Sequence, residues 1–169
     1  MKPDAMFLLW LRGIIFTILV PGTVAGYIPW LLMRNNEPDL RLIFFHWFGV
    51  IVMIAGIIIY LWTAASFLLR GRGTPAIWFT KAIRFLIGEE PVKLVSSGLY
   101  KYSRNPMYAG VITTVIGEGI FFQHAHVLWY ALFLVVFFNL VVIFIEEPHL
   151  ERKFGGQYKE YKKKTRRWF

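Results

Sequence analysis

Gly98-Leu99-Tyr100-Lys101-Tyr102-Ser103-Arg104-Asn105-Pro106-Met107-Tyr108 is a polar, basic and aromatic island set between long apolar runs. A second island, Glu146-Glu147-Pro148-His149-Leu150-Glu151-Arg152-Lys153-Phe154-Gly155, follows it, and the sequence between the two is almost wholly apolar. If that apolar stretch crosses a membrane and returns, the two islands meet at one edge of the bilayer. The rest of the chain is then arranged around their meeting.

Residue chemistry supports this reading. Gly98 can turn the chain with a positive φ. Pro106 lacks an N–H and has a fixed φ, so it suits the first turn of a helix and leaves Arg104 and Asn105 at that helix's entrance. Glu146 and Glu147 close an apolar helix with adjacent carboxylates. Two readings fit. A guanidinium on one element and carboxylates on another form a polar pocket that caps a membrane-buried space. Alternatively, these charges mark the membrane edge and pair with one another, as Lys and Arg flank most transmembrane helices.

The 169 residues are 57% hydrophobic, 18% aromatic and only 17% charged, with a mean hydropathy of +0.52. A soluble domain of this length carries more charge and shorter apolar runs. The composition predicts an all-α polytopic membrane protein, a single membrane domain over residues 1–169. With no cysteine, disulfides, thiolate catalysis and Cys-based metal sites are excluded. The net charge of +9 sits beside apolar spans, which points to positive-inside topology and anionic headgroups rather than nucleic acid.

A helix needs about 20 apolar residues to cross the hydrocarbon core. Residues 6–33 supply a first span, too long for a secretory signal peptide. Arg12, Pro21-Gly22 and Pro29 interrupt it and predict a kink or a broken helix. Asn35-Asn36-Glu37-Pro38-Asp39 is turn chemistry. Residues 42–69 form the second span, with His46 near one end. Residues 107–122 form a short third span rich in Gly and Thr, small residues that favour close helix contact in lipid. Glu118 lies within it. An ionisable group in a span suggests function, and the alternative is a carboxylate near the far interface that reaches headgroup water. His124 and His126 make a His-x-His with no third metal ligand nearby, so no metal site is expected. Residues 127–145 are the fourth span, with Asn139 placed to hydrogen-bond a neighbouring helix.

Between Arg70 and Arg104 there are seven Lys or Arg against two Glu, a net +5. Trp78, Phe79, Ile83, Phe85 and Leu86 alternate with Lys81 and Arg84 in a pattern that suits an interfacial helix over Ala76–Ile87. Beyond Glu146, the residues Leu150, Phe154, Tyr158 and Tyr161 recur at helical spacing and predict an amphipathic surface helix, with Gly155-Gly156 placed to bend it. The tail ends Lys162-Lys163-Lys164-Thr165-Arg166-Arg167-Trp168-Phe169. Four spans put the basic loop, the basic tail and the N-terminus on one side, which the positive-inside rule makes cytoplasmic. Segments 71–106 and 146–169 then face the cytosol.

Gly98-Leu99-Tyr100 with Arg104-Asn105-Pro106-Met107-Tyr108, then Glu146-Glu147-Pro148-x-Leu150, Phe154-Gly155-x-x-Tyr158-x-x-Tyr161 and Arg167-Trp168, resembles the isoprenylcysteine carboxyl methyltransferase and phospholipid N-methyltransferase group. The resemblance runs from about Gly71 to the C-terminus, and residues 1–70 add only hydrophobicity. It implies an integral-membrane enzyme with a cytosolic S-adenosylmethionine pocket. On this chain the implied cofactor set is Gly98, Leu99, Tyr100, Arg104, Asn105, Pro106, Tyr108, Glu146 and Glu147. Gly71 and Gly73 join it because they resemble the Gly-x-Gly of the phospholipid enzymes. Arg104, Glu146 and Glu147 are the implied catalytic residues. Many members carry His where this chain has Asn105, and Asn cannot titrate near neutral pH. An amine acceptor must also lose a proton, and no His is placed to take it.

The expectation is methyl transfer to a lipophilic acceptor that enters from the bilayer: an isoprenylcysteine carboxylate, a phospholipid amine or a small hydrophobic compound. Such chemistry needs in-line placement more than a covalent intermediate, and an Arg can clamp a carboxylate bidentately. Two other classes stay open. One is a sterol- or steroid-type membrane reductase using a nicotinamide cofactor; the other is a non-catalytic membrane scaffold. Binding of S-adenosylmethionine separates the first class from both.

Overall fold

The structure, a computed structural model, describes residues 3–42, 44–71 and 92–169. Gly73 and the interfacial helix expected over Ala76–Ile87 lie outside the described residues. Every regular element among the described residues is helical.

Helix α1 (Pro3–Leu19) leads through a π-helical turn, Thr23–Tyr27, into α2 (Ile28–Arg34). The interruption expected at Pro21-Gly22 takes the form of that π turn, and Pro29 sits in the first turn of α2, where a missing N–H is harmless. Helix α3 (His46–Ser66) ends in a second π turn, Phe67–Gly71. Helix α4 (Pro106–Phe121) opens on Pro106 itself. Helix α5 (Ala125–Val141) passes through a third π turn, Val142–Glu146, into α6 (Glu147–Phe154), and α7 (Gly156–Lys164) completes the order. Gly155 joins α6 to α7 at φ +54°, ψ −125°, a conformation open in practice only to glycine.

Met6–Arg34, His46–Gly71 and Ala125–Phe154 are each long and apolar enough to cross a membrane, and α4 is a shorter apolar helix. Apolar helices satisfy their own backbone groups, which is what the hydrocarbon core demands. At 1.5 Å per residue α4 spans about 24 Å, less than the ~30 Å core. The chain is an all-α polytopic membrane protein.

Helices α3 and α4 form the central pair, and four glycines let them touch backbone to backbone. A Cβ on Gly49 would stand 2.5 Å from Phe121 N, and one on Gly56 would stand 2.7 Å from Gly110 O. From the other side, a Cβ on Gly110 would meet Tyr60 N at 2.8 Å and one on Gly117 would meet Gly49 O at 2.7 Å. The glycines recur one heptad apart on both helices, so a single seam runs the length of the contact. Tyr60, Val111, Val115, Val127, Ala131, Leu134 and Phe138 pack beside it and bring in α5.

The two ends of this bundle differ. At one end the loop after α2 docks on the α4–α5 turn. Asp39 N and Leu40 N donate to Gln123 O at 3.2 and 3.0 Å, and Ala125 N donates to Asp39 Oδ1 at 2.7 Å. That N–H, followed by nearby His126 and His124, holds the Asp39 carboxyl below its ordinary range. Glu118, in the last turn of α4, belongs to this end. At the other end residues 98–105 meet the C-terminal tail.

Candidate active site between the two polar segments

A cavity of about 440 Å³ opens at that second end, within the ~300–1,000 Å³ of small-molecule sites. Phe16, Val20, Tyr60, Val111, Phe138 and Val141 give it apolar walls, and Lys93, Arg104, Asn105, Glu146 and Glu147 give it a polar end. Leu150, Phe154, Tyr158 and Tyr161, the stripe of α6 and α7, all face it. The first half of the chain does more than add hydrophobicity. Its residues from Phe16 to Val24, with Tyr60 and Phe67, form part of the wall. All three π turns among the described residues place side chains there: Thr23 and Val24, Phe67, and Val142 with Glu146. π turns recur at functional sites because the extra residue re-aims the side chains that follow.

One carboxylate organises the polar end. Glu147 Oε1 accepts from Arg104 Nη2 at 2.7 Å and from Arg167 Nε at 2.9 Å, while Lys162 Nζ lies 3.0 Å from Oε2. Glu151 and Glu147 push the Lys162 ammonium above its usual value, and Glu147 does the same to Arg167. Arg104 also donates from Nη1 to two main-chain carbonyls, Thr165 O at 2.6 Å and Lys162 O at 3.2 Å. Its buried Nε has no partner among the described residues. The guanidinium therefore ties the entrance of α4 to both α6 and the tail.

The tail is seated by its backbone as well. Ser103 and Arg166 form an isolated parallel bridge, with Arg104 N donating to Arg166 O at 2.8 Å. Arg167 O accepts from Ser103 Oγ at 3.2 Å and from Asn105 Nδ2 at 3.1 Å. Trp168 Nε1 reaches Asn139 Oδ1 at 3.2 Å, so the polar residue of the fourth span meets the tail rather than a neighbouring helix. Tyr161 Oη donates to Tyr100 O at 2.7 Å. Glu146, 5% exposed, takes a different partner from its neighbour and accepts from Tyr108 Oη at 2.5 Å.

Of the residues singled out in the sequence, Tyr100, Arg104, Asn105, Tyr108, Glu146 and Glu147 come together on this cavity. Gly98, Leu99 and Pro106 support it from behind. Gly98 turns the chain at φ +68°, Leu99 O caps the turn by accepting Tyr102 N at 3.1 Å, and Pro106 is buried in the first turn of α4. Gly71 ends the second π turn, where its carbonyl accepts Val92 N at 3.1 Å. Sequence reasoning missed Lys162 and Arg167 as partners of Glu147, and Ser103 as a seat for the tail.

No curated protein and no solved structure matches the chain. A family model described as phospholipid methyltransferase matches residues 44–157, more than half of the chain, and takes in both polar segments. The chain belongs to the phospholipid methyltransferase family, integral-membrane enzymes that transfer methyl groups to lipid-like substrates.

Proposed function

We propose that this chain transfers a methyl group from S-adenosylmethionine to a lipophilic acceptor at the cytosolic face of the membrane. The observation that carries the reading is a cavity in which apolar walls from α1, α3, α4 and α5 run into the polar cluster of Arg104, Asn105, Glu146 and Glu147. A lipid chain suits the walls and a charged cofactor suits the cluster. The +5 charge between Arg70 and Arg104 and the basic tail support the cytosolic placement.

The donor set fits the cofactor. Arg104 Nε–H is buried and has no partner among the described residues, and Lys93 lines the same cavity, so a carboxylate finds donors there. Tyr100, Asn105 and Tyr108 offer aromatic and polar surface on the same wall. When bound, the sulfonium supplies an electrophilic methyl group. The chain's own part is placement and exclusion of water. Arg104 and Glu147 fix the polar end, α7 covers it, and the apolar walls hold the acceptor in a dry space where reacting groups gain from proximity. Glu146 contributes a second cavity carboxylate, which no cation pairs among the described residues.

The deciding experiment is incubation of the purified protein with methyl-labelled S-adenosylmethionine and a membrane lipid extract, followed by identification of the labelled product. The expected result is label in a lipid. Absence of labelled lipid, with tight binding of a nicotinamide cofactor instead, overturns the reading in favour of a reductase.

A further inference from the structure

The cavity meets lipid along one flank. Leu19 at the end of α1 and Phe137 on α5 both line it, yet they are 49% and 41% exposed, and within a span an exposed apolar residue faces hydrocarbon. The first span changes partner along its length. Beyond the first π turn, Leu32 and Met33 pack on the main core together with Val24 and Ala25 of the turn itself, and Tyr130 Oη on α5 donates to Val24 O at 3.0 Å. Before that turn, α1 leans on α3 and the residues that follow it. Thr17 Oγ lies 2.9 Å from Tyr60 Oη, and Gly13 leaves room for Leu68, whose Cδ1 an added Cβ would meet at 2.9 Å. Phe16 packs with Ile15 and Val20 in a small cluster apart from the main core. A wedge is therefore left between α1 and α5, with its apex at Val24 and with Leu19 and Phe137 on its two sides. Pro21 donates no main-chain hydrogen bond and the π turn follows it, so α1 has its weak point where the wedge closes.

Size and depth decide what the wedge admits. About 440 Å³ is room for a drug-sized ligand. A membrane lipid with full-length chains is not enclosed whole, so its chains must leave through an opening. Phe137 stands nine residues before Glu146 on one continuous helical run, about 13 Å away at 1.5 Å per residue. With Glu146 at the edge of a ~30 Å hydrocarbon core, Phe137 lies near its middle. Chains belong at that depth and headgroups do not. Resting on the methyl-transfer reading, we infer that the acceptor is a membrane lipid that slides in sideways through the wedge between α1 and α5. Its polar group travels along the wedge to the polar end of the cavity, and its chain stays in the bilayer between Leu19 and Phe137. Helix α1 tilts about Pro21-Gly22 to let the lipid pass, while α2 keeps its seat on the core. The flank between α1 and α3 is closed, because Tyr60 and Phe67 are buried and Thr17 is bonded to Tyr60.

The test exploits the absence of cysteine from the chain. Leu19→Cys and Phe137→Cys are prepared in phosphatidylcholine nanodiscs that contain a phosphatidylethanolamine with a diazirine on one acyl chain. Each is plugged with benzyl methanethiosulfonate, and the plug is removed again with dithiothreitol. The readout is photolabelling of Val111, a buried cavity residue on α4 that only a lipid inside the cavity reaches. Unplugged protein should be labelled there. Plugging either cysteine should lower that labelling by about tenfold, the scale of an overpacking penalty in a filled gap, and reduction should restore it. Leu132→Cys is the control, because Leu132 is exposed on α5 and does not line the cavity, and its plug should change nothing. Undiminished labelling in either plugged variant overturns the inference, as does an equal loss in the Leu132→Cys control. A loss that reduction fails to reverse, or no labelling of Val111 in unplugged protein, also counts against it. Plug-sensitive labelling without any lipid methylation upholds the entry route, and it is then the methyl-transfer reading that falls. Lipid methylation that neither plug slows leaves that reading standing and removes the wedge as its entrance.

Discussion

Arg104 Nη2 lies 2.7 Å from Glu147 Oε1, and both side chains are more than nine-tenths buried. The pair is not isolated, because the same guanidinium holds Thr165 O and Lys162 O through Nη1. Removing one member of a buried charged pair leaves the other uncompensated, at about 3–5 kcal/mol. Arg104→Ala should therefore lose about that much unfolding free energy in detergent, and methyl transfer should fall by more than about a hundredfold. Arg104→Lys should recover little of either, since one ammonium cannot reproduce a planar fork that spans a carboxylate and two carbonyls. A Lys variant with near wild-type unfolding and turnover would reduce Arg104 to an ordinary membrane-edge charge.

The tail braces the polar cluster from behind the cavity. Thr165 to Trp168 carries the Ser103–Arg166 bridge, the Arg167–Glu147 pair and the Trp168–Asn139 hydrogen bond. Deleting residues 165–169 should leave membrane insertion intact and abolish binding of S-adenosylmethionine in calorimetry. Trp168→Phe removes the indole N–H together with part of the ring that packs on the core, so it should cost about 1 kcal/mol of stability for the hydrogen bond plus the lost packing. Full cofactor affinity in the truncated protein would show that the tail only decorates the surface.

Gly155 and Gly156 look interchangeable in the sequence, and the backbone separates them. Gly155 sits at φ +54°, ψ −125°, while Gly156 begins α7 with ordinary geometry, and neither would meet an atom within 4 Å through an added Cβ. Any penalty at Gly155 is therefore conformational. Gly155→Ala should destabilise by about 1–3 kcal/mol. Gly156→Ala should be neutral or stabilise by about 0.4–1 kcal/mol through the unfolded state. Thermal unfolding of the two variants side by side checks the contrast, and equal melting temperatures would refute it.

The three long spans were legible because length and apolarity alone decide them, and the starts of α4 and α6 were legible because Pro106 and Pro148 occupy first-turn positions. Six cavity residues were legible through short motifs at span ends. What stayed hidden has physical causes. Lys162 and Arg167 belong to a basic run that reads as membrane-surface charge, and nothing local says that they meet Glu147. Pro21-Gly22 announced the first π turn, but the turns at Phe67–Gly71 and Val142–Glu146 have no residue signature, yet they aim Phe67 and Glu146 at the cavity. Phe16 on α1 and Val20 just after it are indistinguishable in sequence from lipid-facing neighbours such as Ile18, which is exposed. The Gly-rich character of α4 was visible, whereas its match to Gly49 and Gly56 depends on the register of two helices.

That register gives the sharpest test of the fold. Gly49 and Gly117 face each other reciprocally: a Cβ on either would stand 2.7 Å from the other's carbonyl oxygen. The atoms in the way are backbone, so no side-chain rotation can relieve the clash. Overpacking a core usually costs about 1–3 kcal/mol, and Gly49→Ala or Gly117→Ala should each reach the upper end because whole helices must separate. Gly26→Ala, where an added Cβ would meet nothing within 4 Å, is the control and should leave stability unchanged or slightly higher. The double variant is the informative one. Once the first methyl has forced α3 and α4 apart, the second enters space already opened, so the two losses should fall short of their sum by more than about 0.5 kcal/mol. Strict additivity would mean that the two glycines do not share one contact, and the backbone seam would have to be abandoned as the basis of the α3–α4 pair.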